Sequence, residues 1–277
     1  MSHLPLEEIV GKLQKLPALS VVLAELMESF EKEDLDIPQL ASKIGLDQGL
    51  AAKVLRVANS AFYGYPSRIA SIKDAVVVLG FSNVRSLAIA GGVIEQFSSA
   101  GQDGFDRLAF WRHSIGTAVC AKVLAEHTGR NPETAFTAGL LHDIGKLVMD
   151  ISFPEHYDRV LQYCAKTDCT IGVAEKEILG VDHALVGYEL AKRWKFPLPI
   201  QQAIRDHHAP QQEPLSDLMH AANVLCHALD IGNSGYEAVP PLSAAAWDRL
   251  ELEWQALRPC FAEIERLNAA ASLLLSG

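Results

Sequence analysis

Apolar positions recur at three- and four-residue intervals along nearly the whole chain, and no stretch holds the period of two that a half-buried strand needs. "VVLAELMESF" sets Val22, Leu26 and Phe30 on one helical face and puts Glu25, Glu28 and Glu31 elsewhere on the wheel. "DIPQLASKIG" opens with Asp36 ahead of Pro38, a cap and a first turn, and closes on Gly45. From Asp47, "LDQGLAAKVLRVANSAFYG" continues as a second helix with Leu50, Val54, Val57 and Ala58 on one side. "DAVVVLGF" is rich in β-branched residues, but it follows the helix-favouring "SIKDA" and reads as a buried helix.

The punctuation divides this helical pattern. "SSAGQDGFD", Ser98 to Asp106, is a Gly- and Ser-rich linker. A helix begins near Phe110 and ends at "TGRNP"; the next starts at Asn131-Pro132 and holds "GLLHDIGKLVM". "IGNSGYEAVPP" past Asp230 is a loop, and helical segments return from Ser243 to Leu275. The expected fold is all-α: an N-terminal helical lobe over 1–103, a second helical bundle over 104–230, and a C-terminal helical cap over 231–277.

Composition narrows the function classes. With 277 residues, 49% hydrophobic and 21% charged, the chain can bury a large core and remain soluble. Its apolar runs fall well short of the roughly 20 residues that cross a bilayer. The N-terminus shows no basic region followed by an apolar one. Cys120, Cys164, Cys169, Cys226 and Cys260 form no CxxC pair, so neither a disulfide framework nor a thiolate zinc site is indicated. A bacterial-type cytoplasm is the expected compartment, with no membrane partner. The net charge of −10 disfavours a large nucleic-acid footprint. "IPQLASKIGLDQGLAAKVLRVANS" has the outline of a helix-turn-helix that would present Gln48, Lys53 and Arg56 to a groove. Its second helix, however, carries Leu50, Val54 and Val57, which makes a packed helix pair the preferred reading and DNA an unexpected partner.

Candidate chemistry lies further on. His142 and Asp143 stand side by side in an apolar run. His113 shares a face with Gly116, Thr117, Cys120 and Leu124, small and apolar residues that let another helix approach. In "LPIQQAIRDHHAP", His207 and His208 fall seven and eight positions after Ile200, on the buried stripe of Ala203 and Ile204, with Arg205 and Asp206 off it. Asp182 is a helix cap with His183 in the first turn and Gly187 one turn later. A buried imidazole needs partners. Five inward-facing histidines beside a carboxylate point to a metal site, and this donor set suits iron, zinc, manganese or nickel, as one or two ions, better than calcium.

The order His113, His142-Asp143 in "HDIGK", His183 in "HALVG" and His207-His208 resembles the HD superfamily of metal-dependent phosphohydrolases, especially its HD-GYP branch. "LPALSVVLAELM", "QLASKIGLDQGLAAKVLRVANSAFYG" and "SIKDAVVVLGFSNVRSLAIA" are similar to the HDOD domain, the HD-related output domain, and the resemblance runs from about Leu13 to Ala209. It implies a second lobe built like an HD-domain bundle. It also implies one ion on His113, His142 and Asp143, and a second with His183, His207 and His208. Lys146 would then meet a phosphate oxygen in an enzyme, the alternative being a solvated lysine at a helix end. The final aspartate of catalytic HD proteins is matched by Asn223, a weaker cation ligand, and the "HHE" and "GYP" elements of cyclic-di-GMP phosphodiesterases are missing. HDOD relatives imply a non-catalytic signalling module with a protein partner. The alternatives are a metal-dependent phosphohydrolase with a nucleotide or cyclic dinucleotide ligand and, third, a DNA-binding regulator. Arg56, Asn59, Ser60 and Arg68, around "ANSAFYG", are expected to shape a groove between the lobes; local helix capping by Asn59 and Ser60 is the competing reading.

Overall fold

A computed structural model describes residues 5–29, 37–60, 65, 68–97, 104–232 and 239–275. The expected positions Phe30, Glu31, Asp36, Phe62 and Tyr63 lie outside these. The fold is all-α, with no strand among the described residues. Nor is any described helix long and apolar enough to cross a membrane.

Up to residue 97 the chain forms α1 (Leu6–Leu13), α2 (Val21–Glu28), α3 (Ile37–Leu46), α4 (Gln48–Ala58), α5 (Ile72–Leu79) and α6 (Phe81–Gln96). Asp47 starts α4 by accepting from the Leu50 amide at 3.0 Å, a cap of a kind worth about 1 kcal/mol. Leu50, Val54 and Val57 are buried, and α4 packs against α6. Lys53 is drawn along that contact onto the Gly91 carbonyl (3.3 Å) and Glu95 (3.0 Å). The helix-turn-helix outline is thus a packed pair whose second helix feeds the core.

"DAVVVLGF" is helical as expected but only one face of α5 is buried, through Ile72, Ala75 and Leu79, while Val77 is 78% exposed. Gly80, at φ +81°, ends α5 and turns the chain into α6, a conformation a side chain would oppose.

From Arg107 the chain continues through α7 (Arg107–His127), α8 (Pro132–Leu141), α9 (Ile144–Ser152), α10 (Pro154–Thr167), α11 (Ile171–Leu179), α12 (His183–Arg193), α13 (Leu198–Asp206) and α14 (Pro214–Ala228). Its inner helices are crowded. A Cβ on Gly139 would collide with the Thr117–Ala118 backbone of α7, and one on Gly145 with the backbone of His183 and Gly187 on α12. The two glycines thus let α8 lie directly on α7 and α9 directly on α12. The chain ends with α15 (Ala244–Leu250), α16 (Leu257–Ala271) and a 3-10 turn over Ser272–Leu275. Helix α16 packs on α7, and the turn reaches α4 and α6. Helix α1 in turn contacts α9 and α12, and Arg193 donates to the Gln14 and Leu16 carbonyls at 3.0 and 2.8 Å.

Candidate metal centre

His142 and Asp143 occupy the joint between α8 and α9, not the interior of one helix as "GLLHDIGKLVM" suggested. The joint frees their side chains to turn inward. Asp143 is the N-cap residue of α9, yet its carboxylate makes no capping bond. It is 2% exposed, and its two oxygens face different groups. Oδ1 lies 3.2 Å from His183 Nε2 and 3.5 Å from His207 Nε2. Oδ2 lies 3.4 Å from His142 Nε2, 3.8 Å from His113 Nε2 and 2.8 Å from Lys146 Nζ. His208 joins the Oδ1 side, with Nε2 2.8 Å from His183 Nε2.

All six sequence-derived ligand candidates therefore converge, in two sets that share Asp143: His113 and His142 on one side; His183, His207 and His208 on the other. Donors about 2.0–2.2 Å from a first-row ion lie about 3–3.5 Å from one another, which matches the spacing around Asp143.

The hydrogen bonds behind the rings fix which nitrogen faces inward. His142 Nδ1 lies 2.7 Å from the Gly139 carbonyl and His207 Nδ1 2.7 Å from the Ile204 carbonyl. A carbonyl only accepts, so each Nδ1 carries the proton and each Nε2 presents a lone pair. Those two Nε2 atoms and Asp143 Oδ1 are buried without a hydrogen-bond partner. With His183 protonated, Oδ1 keeps that ion pair, but the His142 and His207 lone pairs still face the carboxylate, acceptor against acceptor, which is costly for a protein to keep without a cation. The residues fit a divalent transition ion.

Electrostatics add a proton to this picture. Burial alone would raise the Asp143 carboxyl, but His142, Lys146 and His183 outweigh it and hold Asp143 well below the usual carboxylate range. Burial likewise opposes charge on His183, yet Glu175 and Asp143 on its two sides raise it to about 10. Burial lowers His207 to about 4. It also lowers His208, with help from the neighbouring His207 and His183. In the metal-free cluster one proton sits on His183 and the other imidazoles of that side are neutral.

Several placements differ from the sequence expectation. His207 and His208 follow the end of α13 instead of lying on its stripe, and His208 is exposed as a residue although its nitrogen reaches His183. Asp206, placed off the stripe, is buried at 7% and held by Arg205 through bonds of 2.7 and 2.8 Å. Lys146 is not a solvated helix-end lysine; it is 6% exposed and ion-paired with Asp143. Asn223 is buried on α14, at the wall of a cavity that His208 and Lys146 also line.

Asn59 turns away from the role expected of it. Its side-chain amide donates to the Leu55 and Ile69 carbonyls and its carbonyl accepts from the Ile69 amide, each at 2.8 Å. That is the local-capping alternative. Arg68 is exposed, Arg56 and Ser60 are partly buried, and a small cavity between α4, α6, α7 and α16 is lined by Val57, Ser86, Val119 and Lys122 instead.

Sequence reasoning missed Glu175, which is fully buried. It takes His183 Nδ1 at 2.6 Å, the His183 amide at 2.8 Å and the Tyr157 hydroxyl at 3.3 Å. A signal existed: Glu175 falls four residues after Ile171 on the apolar stripe of Ile171, Ala174 and Leu179. His220 was missed as well. Its Nδ1 donates to the His207 carbonyl at 2.8 Å, and its Nε2 accepts from the Ser243 amide at 2.9 Å. His227 packs against His113 with ring centroids 4.5 Å apart and the planes tilted by 38°.

This chain is similar throughout to known proteins of the same build. An HDOD domain protein of unknown function from Geobacter sulfurreducens superposes with a TM-score of 0.83 at 27% identity, over 98% of this chain and 99% of that one. A protein of Shewanella amazonensis SB2B provisionally designated a phosphohydrolase gives 0.78 at 27% identity, over 96% and 97%. An uncharacterized protein of Treponema pallidum (strain Nichols) is 28% identical over 254 residues, 89% of this chain, which spans 48% of that relative's length. The HDOD domain model matches residues 16–210, a span that takes in the histidine cluster, and the chain belongs to the HDOD domain family.

Proposed function

We propose that this chain is an HDOD signalling module that keeps a metal-binding HD centre and has little or no phosphohydrolase activity. The observation that carries the metal is the pair of partnerless buried acceptors, His142 Nε2 and His207 Nε2, both facing the Asp143 carboxylate, with the outer nitrogens of both rings committed to carbonyls. His113, His142, Asp143, His183, His207 and His208 would hold one or two ions of iron, zinc, manganese or nickel. A bound ion would supply Lewis acidity and a lowered water pKa. The chain's own residues prepare for it. Glu175 orients His183, the Gly139 and Ile204 carbonyls set two tautomers, and Lys146 neutralises Asp143 in the absence of metal.

The same residues argue against efficient hydrolysis. Lys146 Nζ competes for Asp143 Oδ2, the oxygen facing His113 and His142, which weakens that half of a two-ion site. Asn223 brings an uncharged amide where the family resemblance sets an aspartate. The division into 1–103, 104–230 and 231–277 suits a module whose second lobe senses and whose first lobe or cap meets a protein partner in the cytoplasm. The phosphohydrolase reading is favoured by one observation: the donors form two sets around a shared carboxylate, as a two-ion site requires. Elemental analysis of the purified chain, followed by a phosphodiesterase and phosphomonoesterase screen with added manganese, separates them. Bound metal with negligible turnover is the expected result, and robust turnover sinks the signalling reading.

A further inference from the structure

Of the five cysteines, Cys120, Cys226 and Cys260 are fully buried and Cys164 is 3% exposed. Cys169 alone is half-buried, with surface that a small solute can reach. Cys164 and Cys169 stand in a C-x4-C spacing, which a search for CxxC pairs passes over, at the turn between α10 and α11.

The turn brings the two together. Helix α10 exits through Asp168, whose φ of +53° is left-handed and whose amide donates to the Cys164 carbonyl at 3.0 Å. At such an exit the residue after the left-handed position folds back over the last helical turn. That residue is Cys169, which packs against the core. The Cys164 thiol in turn donates to the Cys169 carbonyl at 2.7 Å. The carbonyl oxygen and Cβ of one residue hang from adjacent atoms, so the Cys169 sulfur comes onto Cys164 by a χ1 rotation. Two small apolar side chains closing a helix end would explain the contact alone. They would not explain why the one accessible thiol of the molecule sits on a second thiol.

We propose that Cys164 and Cys169 form a reversible oxidation site that reacts with a hydroperoxide and closes to a disulfide. The Cys169 thiolate attacks the hydroperoxide and the O–O bond breaks. Water or an alcohol leaves with the proton that the thiol gave up, and Cys169 is held as a sulfenic acid. The Cys164 sulfur then attacks the Cys169 sulfur; the hydroxyl leaves with the Cys164 proton as water, and the S–S bond forms. The two sulfurs lose two electrons in all, and the peroxide gains them. A small thiol of the glutathione class reverses the step by exchange. The turn leads into α11, the helix that carries Glu175 to His183, and that is where an oxidised turn reaches the rest of the molecule. Nothing in this proposal depends on a bound metal or on the signalling reading.

The test treats the reduced, EDTA-treated full chain with hydrogen peroxide, blocks the remaining thiols in acid, and maps tryptic peptides without reductant. Trypsin cuts after Lys166, between the two cysteines, so the disulfide joins peptide 160–166 to peptide 167–176. That linked pair should form in the folded chain and separate with dithiothreitol. Cys120 and Cys226, which hydrogen-bond to each other but have no exposed surface, should stay reduced. In Cys164→Ser and Cys164→Ala the linked pair is lost, and Cys169 accumulates as a sulfenic acid that dimedone traps. In Cys169→Ser, Cys164 stays reduced.

No linked pair in the folded chain, or one that forms only in urea, overturns the proposal. So does a dimedone adduct on Cys169 as abundant in the parent as in the Cys164 variants, since Cys164 then resolves nothing. The parent chain decides the first of these results, so a variant that fails to fold leaves the proposal falsifiable.

Discussion

Two helix exits in this molecule carry polar pairs, and they are used in opposite ways. Asn59-Ser60 follows α4, and His142-Asp143 follows α8. At the first exit the Asn59 side chain is exposed and still makes three hydrogen bonds of 2.8 Å to nearby backbone. At the second exit the side chains are buried, and His142 Nε2 finds no hydrogen-bond partner. A saturated polar group that could have been solvated is holding a turn. An unsatisfied one that has been desolvated is kept for something that is not protein, because its burial costs about 1–3 kcal/mol without return.

The sharpest way to break the comparison is to neutralise the shared carboxylate. Asp143→Asn should abolish metal binding at both sets of donors, measured by elemental analysis after dialysis. It also strands the Lys146 ammonium and the His183 imidazolium, so the metal-free fold should lose about 3–5 kcal/mol in denaturant titration. A variant that retained stoichiometric metal would show that Asp143 is an ordinary buried ion-pair partner.

Next in size is pH. His183 must lose its Nε2 proton to ligate, and that proton is held until about pH 10. Metal affinity should therefore rise about tenfold per pH unit between the ordinary histidine range and pH 10, since uptake releases one proton. Stability of the metal-free protein should move the other way. The folded pKa of His183 is above its unfolded value near 6.5, so its contribution is complete below about pH 6.5 and is lost as pH rises toward about 10. Metal-loaded protein should not show that alkaline loss. Thermal melts of both forms from pH 6 to about 10 would decide it; parallel curves would mean that the ion and the proton do not compete for His183.

What the sequence could reveal follows the same division. Asp182 was legible as a cap because a cap is a local event, governed by residues three apart, and it accepts from the Leu185 amide; Asp47 and Asn131, read only as helix starts, cap in the same way. Convergence of the histidines was legible from their apolar surroundings. The His142-Asp143 joint was not, since the apolar pattern runs unbroken from α8 into α9, and it is in the tertiary packing that α8 goes onto α7 and α9 onto α12. Asp206 escaped because its burial depends on Arg205, an adjacent partner that helical spacing does not mark. Glu175 escaped for a different reason: charged residues on an apolar stripe are usually displaced to its edge, and here the stripe itself faces His183.

That residue gives the third prediction. Glu175→Gln preserves volume but removes the charge that orients and protonates His183. Loss of such a supporting partner typically costs 10–100-fold in metal affinity. The substitution should also shift the metal-affinity profile, because His183 then gives up its proton at lower pH. A loss of affinity equal at every pH would mean that Glu175 only packs against the ring.

The smallest effect belongs to the other exit. Asn59→Ala removes three hydrogen bonds that tie the end of α4 to Ile69, all in an exposed or half-exposed setting where water can replace part of what is lost. The expected cost is about 1–2 kcal/mol of folding stability in urea titration. Metal content and affinity should be unchanged, because no hydrogen bond of Asn59 reaches the second lobe among the described residues. Asn59→Asp is the useful companion. It keeps the acceptor for the Ile69 amide and loses the two donations, so it should fall between Ala and the parent. A drop in metal affinity in either variant, with the fold intact, would mean that this turn is coupled to the cluster after all, and that a saturated polar pair can serve the site as directly as an unsatisfied one.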